Sequence, residues 1–381
     1  MDNLNEDTIL GNEESFGDVV SHKIHATDSF LAVLGKTNIA FETVMSEFLN
    51  NSIQAAEDRD LDLYVEIEFD FDDDEQSKCN SVAFKDKSGG IPLNQFQNCV
   101  TPAKNINPKT TLNEHGIGLN LSLEWCTRDT AEYSIKSYTE SGAFALNEKI
   151  SFERDFNTVG IENTEPPGLH IFISNITDEI DLKWPSAPAS ELYKIWAVLC
   201  AKYRFKHKDF NARGKNFNII FNLKKGDTPK STGPFKPCPP LLKNPHSTKN
   251  DWITSFILEN DDYTIKFNFG AADLEKAAYG SQEIDYVGQN NHPYRISSEN
   301  IGFDVIYKGV VIDFMNRELI PIGFNRAMHG GVNWNQFSCL RGEMHILKGG
   351  RSFFTKNGID ADKSMKELLA QAHRILLGIS I

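Results

Sequence analysis

Apolar residues recur at helical spacing from Phe41 to Asp58. Val44, Phe48, Ile53 and Ala55 form one stripe, while Glu47 and Asn51, four positions apart, share another face. The period then shifts to two. Strands are predicted at Leu63–Phe69 and Ser81–Lys85, either side of the acidic run Asp70, Asp72, Asp73, Asp74 and Glu75. A Gly-Gly-Ile-Pro turn leads to a short helix at Leu93–Cys99. A polar loop from Thr101 to Glu114 then runs into an apolar helix at His115–Trp125. Alternating strands occupy Glu132–Ser151 and Leu169–Asn175, followed by a helix at Ser190–Arg204 and a strand at Asn216–Leu223. Prolines 229, 234, 237, 239, 240 and 245 require a loop or an extended excursion. Strands return at Ile253–Leu258, Tyr263–Asn268, Ile301–Tyr307 and Gly342–Leu347, and an amphipathic helix at Asp362–Leu377 closes the pattern. The polar, acidic residues 1–35 read as a mobile arm. The remainder reads as α+β, in two regions that divide near residue 180: 36–180 and 181–381.

A length of 381 residues agrees with two domains at ~150 residues each. The chain is 40% hydrophobic and 24% charged, a globular composition, and no apolar run approaches the ~18 residues of a membrane-spanning helix. The acidic N-terminus is not a secretory signal. Six scattered cysteines without a C-x-x-C pair argue against a disulfide scaffold or structural zinc, so a reducing, cytoplasmic home is expected. The net charge of −14 disfavours indiscriminate coating of nucleic acid. It hides an asymmetry. Between Lys202 and Lys249 twelve basic residues meet only Asp209 and Asp227, so this proline-rich stretch is +10 and the rest of the chain −24. Such a stretch either lines a groove for a polyanion such as DNA or is a solvated loop.

Three short segments carry candidate chemistry. Glu47 and Asn51 stand one turn apart, and a carboxylate beside a carboxamide suits a magnesium–phosphate site: the amide oxygen ligates Mg²⁺, and the carboxylate deprotonates an attacking water. Asp86, in Asp86-Lys-Ser-Gly89-Gly90-Ile91-Pro92, follows a strand and precedes glycines that let backbone approach a flat ligand, so its carboxylate can accept from an exocyclic amine such as adenine N6. In His115-Gly116-Ile117-Gly118, glycines at a helix start present N–H groups to an anion, after a loop that carries Lys104 and Lys109. Taken singly, the segments also read as a polar helix face, a β-turn and an unliganded helix start.

Together, in this order and separated by 39 residues (Glu47 to Asp86) and 30 (Asp86 to Gly116), they resemble the nucleotide site of the GHKL ATPases, the group of gyrase B, large heat-shock chaperone, histidine kinase, MutL and MORC proteins. The resemblance implies a Bergerat-type α/β sandwich that binds ATP and Mg²⁺, followed by a transducer-like α+β domain carrying the basic insertion 202–249. It assigns Glu47 as general base, Asn51 as magnesium ligand and Asp86 as adenine anchor, with Gly90 and Ile91 lining the pocket. Lys104, His115, Gly116, Ile117 and Gly118 would surround the phosphates. Gly168-Leu-His-Ile and the segments Gly342–Leu347 and Phe354–Asp360 are similar to MORC and MutL regions, which makes Lys356 the candidate that reaches the γ-phosphate. Three positions depart from the pattern: Gln54 stands for an aspartate, Ser88 for a glycine and Leu169 for a threonine. The implied activity is a nucleotide-gated, ATP-dependent homodimeric clamp, closing on DNA and working with a separate effector protein in prokaryotic defence or restriction. The alternatives are a chaperone-type remodelling or scaffold protein and a nucleotide sensor with little turnover.

Overall fold

The computed structural model describes residues 19–22, 40–73, 78–101, 118–127, 132–150, 155–176, 182–185, 191–244, 247, 251–273, 293–294, 302–316, 340–350 and 362–377. They form a mixed α+β structure around two sheets. The larger sheet contains β1 (Val19–His22), β2 (Leu63–Phe71), β3 (Cys79–Asp86), β4 (Glu132–Tyr138), β5 (Ala143–Leu146), β6 (Phe156–Ile161), β7 (Gly168–Ser174), β8 (Phe217–Lys225) and β9 (Thr228–Ser231), ordered β1-β6-β5-β4-β7-β3-β2-β8-β9. Its pairings are antiparallel except for β2 with β8.

Strict alternation along β2 and β8 makes the sheet one-sided. Leu63, Val65, Ile67 and Phe69 point into the core beside Ile219, Phe221 and Leu223, while Glu66 and Glu68 face outward. Helices α1 (Phe41–Asp58), α2 (Leu93–Val100), α3 (Gly118–Thr127) and α4 (Glu191–Lys202) belong to the same buried core. Edge and tilted ring contacts tie the layers: Phe69 to Phe221 (5.1 Å), Trp196 to Phe221 (4.8 Å) and Phe96 to Phe144 (5.0 Å). The α1 stripe holds at Val44, Phe48 and Ile53. It ends at the buried Ala56, whereas Ala55 is half-exposed. Because α1 lies between the sheet and both α3 and α4, its polar face is covered as well, and Glu47 is 2% exposed.

The smaller sheet is ordered β10-β11-β14-β12-β13, from β10 (Thr254–Glu259), β11 (Thr264–Ala271), β12 (Gly302–Tyr307), β13 (Val310–Asn316) and β14 (Leu340–Lys348), and α6 (Lys363–Leu377) packs against β10. Asp362 caps α6 by accepting the Met365 N–H on Oδ1 (2.9 Å). Helices α4 and α5 (Arg204–Ala212) lie between the sheets: α4 packs on α1 and β13, and α5 on β8 and β13.

Two expectations change here. The first sheet runs through β8 and β9, so the sheets divide between Ser231 and Thr254 rather than near residue 180. The parallel β2–β8 pairing that decides this joins segments about 150 residues apart, and nothing local announces it. Within the expected arm, Val19–His22 is not free chain: it pairs with Phe156–Val159 at the sheet edge. The sequence reading also missed α5, β6, β9 and β13. For β13 a signal was present: Lys308 (φ 50°) and Gly309 (φ 76°) make a two-residue hairpin between β12 and β13, with a lysine in place of the usual Asn or Asp.

A polar network is buried between α5 and the second sheet. Arg204 donates to Asp304 Oδ2 (2.9 Å), Glu343 Oε1 (2.9 Å) and the Tyr294 hydroxyl (2.6 Å), and Tyr294 donates to the same Asp304 oxygen (2.6 Å). Glu343 Oε2 accepts from Asn268 (2.9 Å) and lies 2.8 Å from His345 Nε2.

Candidate functional site

Four segments distant in sequence meet at one end of the larger sheet. α1 brings Glu47, Asn51 and Ser52. β3 ends on Asp86, β7 begins beside it at Gly168, and β4 ends there at Tyr138.

Asp86 is 4% exposed and fully engaged on one oxygen. Oδ1 accepts the N–H groups of Ser88 (2.9 Å) and Leu169 (3.2 Å), and Oδ2 accepts the Ser52 hydroxyl (2.6 Å). Burial pushes this carboxyl above its ordinary range, against the three hydrogen bonds and the nearby His170, which act to lower it. A second acceptor position remains on Oδ2. Ser52 was not foreseen, although its place next to Asn51 and a turn beyond Glu47 was the available signal.

The turn after Asp86 is built for close approach. Gly89 (φ +90°) and Gly90 (φ +66°) occupy the left-handed region, and a Cβ on Gly90 would lie 2.1 Å from the Tyr138 carbonyl oxygen. A Cβ on Gly168 would lie 1.9 Å from the Asp86 carbonyl oxygen. Arg59 donates to the Ser88 carbonyl and to that of Gly90 (2.9 Å). Ile91 is held from both sides, its N–H on Ser137 Oγ (2.7 Å) and its carbonyl accepting from the same hydroxyl (2.9 Å). Arg59 and Ser137 are further residues that the sequence did not single out.

Glu47 faces α3. Ser122 donates to the Val44 carbonyl (3.1 Å), which sets the register of α3 on α1 and brings Gly118, one turn earlier, beside Glu47. A Cβ at Gly118 would sit 2.2 Å from Glu47 Oε2. Only the flexible end of a side chain stands in the way, so Gly118→Ala is expected to displace the carboxylate while leaving the fold standing. The expected result is a thermal melting point within about 3 °C of wild type; a larger loss would show that the Glu47 carboxylate is held in place.

Asn51 is half-buried on α1, one turn from Glu47. Asn120 donates to the Val100 carbonyl (2.8 Å), tying the first turn of α3 to the end of α2. Tyr203, wholly buried between α4 and α5, reaches the Ser46 carbonyl (3.1 Å) and Asn50 Oδ1 (3.0 Å), holding α1 from the side of the helix pair. Among the described residues no cluster of three His, Cys, Asp or Glu is poised for a metal. A magnesium ion here would take Asn51 together with phosphate and water oxygens, a donor set that suits this hard, hydrated cation. Of the expected site residues, Glu47 lies against Gly118, Asp86 is joined to α1 through Ser52 next to Asn51, and Gly90 and Ile91 belong to the turn after Asp86. Lys104, His115, Gly116, Ile117 and Lys356 lie outside the described residues.

The basic stretch 202–249 does not form a single solvent-facing groove. Lys202, Arg204 and Lys206 are buried, Arg204 in the network above and Lys206 on Glu57 (2.8 Å). Lys215 pairs with Asp60 (3.0 Å), and Lys230 sits over the Trp184 ring (4.6 Å) and on the Pro185 carbonyl (2.9 Å). Lys208, Arg213, Lys224, Lys236 and Lys243 remain at the exposed surface, and Lys249 lies outside the described residues. The expected charge excess is thus spent partly inside the molecule, where α5 must satisfy carboxylates from α1, β12 and β14.

A hollow of about 410 Å³ lined by Glu132, Ser134, Phe172 and Ser174 opens on the outward sheet face. It lies four to six residues along β7 from Gly168, ~13–20 Å at ~3.3 Å per residue, and is separate from the Asp86 cluster.

No protein-family model matches the chain, and a search of the curated proteins finds no match. Among the described residues no helix is long and apolar enough to cross a membrane.

Proposed function

We propose that the chain binds Mg-ATP between α1, the Asp86 turn and the start of α3, and hydrolyses it as a GHKL-type ATPase with a Bergerat nucleotide domain and a transducer-like second region. The observation that supports this most is that α1 meets both other segments, with Glu47 against Gly118 of α3 and Ser52 donating to Asp86 of β3. Asp86 Oδ2 accepts from the N6 amine of the base, and the glycine turn 89–90 lets the purine approach the backbone. Asn51 would hold a magnesium ion, which would supply charge neutralisation at the phosphates. Glu47 takes the proton from a water as that oxygen attacks the γ-phosphorus. The bond to the β–γ bridging oxygen breaks, leaving ADP and inorganic phosphate.

Calorimetric titration with a non-hydrolysable ATP analogue and Mg²⁺ tests the pocket. Saturable binding by the wild type and at least about tenfold weaker binding by Asp86→Ala are expected, since a base amine left without its acceptor loses that much or more. A wild type that fails to bind overturns the reading.

In this reading nucleotide binding also gates a homodimer, with Lys356 as the γ-phosphate contact, a separate effector protein, and prokaryotic defence or restriction as the setting. Light scattering behind size exclusion, with and without the analogue, tests the dimer. DNA contact rests on the resemblance and on the exposed Lys208, Arg213, Lys224, Lys236 and Lys243; duplex binding that weakens steeply with salt would support it. A nucleotide sensor with little turnover is the second reading. It is favoured by Gln54, whose amide donates to Asp58 (2.7 Å), and by Leu169, which offers Asp86 a backbone N–H and no hydroxyl.

A further inference from the structure

One buried group at the Asp86 turn has no partner. Ser88 is 1% exposed. Its N–H is on Asp86 and its carbonyl on Arg59, yet its Oγ makes no hydrogen bond. A hydroxyl withdrawn from water and left unmatched destabilises the fold, so such a group calls for a partner from outside the chain. Its surroundings narrow what that partner is. Ser88 adjoins the same carboxylate as Leu169 and Ser52, whose donors are already committed to Asp86, and Asp86 Oδ2 still has one acceptor position. The turn therefore carries an acceptor on Asp86 and an unmatched hydroxyl on Ser88, two residues apart and joined through the Ser88 N–H on Asp86 Oδ1.

We propose that Ser88 is a base-reading residue: its hydroxyl donates to ring nitrogen N1 of an adenine whose N6 amine is held by Asp86. The inference rests on the ATP reading of the site and deepens it. The edge of adenine presents a donor (N6–H) next to an acceptor (N1), which matches acceptor Asp86 and donor Ser88. Guanine presents the reverse, with O6 facing a carboxylate and N1–H, and is rejected by both groups. A serine here, in place of the glycine of the resembling pattern, thus adds selectivity as well as bulk.

The test uses the full chain and ADP analogues, which are not turned over, in calorimetric titrations. Wild type is expected to bind 1-deaza-ADP, in which N1 is a C–H, about tenfold more weakly than ADP, the cost of one unmatched hydrogen bond. Ser88→Ala is expected to bind ADP and 1-deaza-ADP equally, both at the wild-type 1-deaza level. Purine riboside diphosphate, which lacks the N6 amine, should lose the same factor relative to ADP in both proteins. If Ser88→Ala weakens ADP and 1-deaza-ADP by equal factors, or binds ADP as the wild type does, the proposal is overturned while the ATP reading stands. Failure of the wild type to bind any adenine nucleotide overturns both.

Discussion

Glu47→Gln is expected to lower ATP turnover at least about 100-fold while nucleotide affinity stays within about threefold of wild type, because a positioned general base contributes about 10²–10⁴ to rate and little to ground-state binding. The amide keeps the size and packing of the carboxylate, and with them the close approach of Gly118, but it cannot take a proton. Phosphate release under saturating Mg-ATP gives the rate, and titration with the non-hydrolysable analogue gives the affinity. A loss of rate with retained binding assigns Glu47 to the chemical step. Equal rates in wild type and variant would remove the catalytic assignment and leave the sensor reading. A parallel loss of both would mean that Glu47 shapes the pocket instead.

Arg204→Met is expected to cost about 3–5 kcal/mol of stability, the usual penalty for stranding buried charge by removing one partner. The guanidinium serves Asp304, which is 0% exposed, and Glu343, 5% exposed, from one nitrogen, so its loss removes the cation that the two buried carboxylates share. Methionine retains most of the stem, which keeps a cavity from confusing the result. Urea unfolding measures the difference. A cost under about 1 kcal/mol would show that the network is not intact in solution.

The pH dependence carries the same signature. Burial pushes Glu343 upward, but the His345 hydrogen bond and the charges of Arg204 and His345 outweigh it and hold the carboxyl down to about 2, below the usual 4.5. A folded-state value below the unfolded one stabilises the protein above about pH 4.5, and that contribution disappears as pH falls towards 2. The gap in stability between wild type and Arg204→Met should therefore narrow across this window, since acid neutralises the stranded carboxylates of the variant.

The same network shows why a charge pattern misleads when it is read along the chain. The density of lysine and arginine after residue 202 looks like an outward-facing groove. Arg204 and Lys206 instead answer carboxylates that lie far away in sequence, Asp304, Glu343 and Glu57. Local sequence gives the sign of a side chain and leaves its partner unspecified. Tyr203 is a parallel case. In the sequence it is a helix-end aromatic, and in the structure it grips α1 through Ser46 and Asn50, next to Glu47.

What the sequence by itself determined is short-range. The periodicities placed α1, β2, β3, α2, α4, β7, β8, β10, β11, β12 and β14 to within a few residues, since burial of one face imposes a period of 3.6 or 2 on the residues themselves. The spacing within α1 set Glu47 and Asn51 one turn apart, and the glycines after Asp86 marked a turn that no side chain fits. The tertiary structure decided what depends on contacts between distant segments. It added Val19–His22 to one edge of the larger sheet and β8–β9 to the other, buried Glu47 under α3 beside Gly118, and turned Ser52 and two backbone N–H groups onto Asp86. Those arrangements follow from which faces find each other in the folded core. Pairing energies between remote strands and helices leave no period in the local sequence, so the fold alone could supply them.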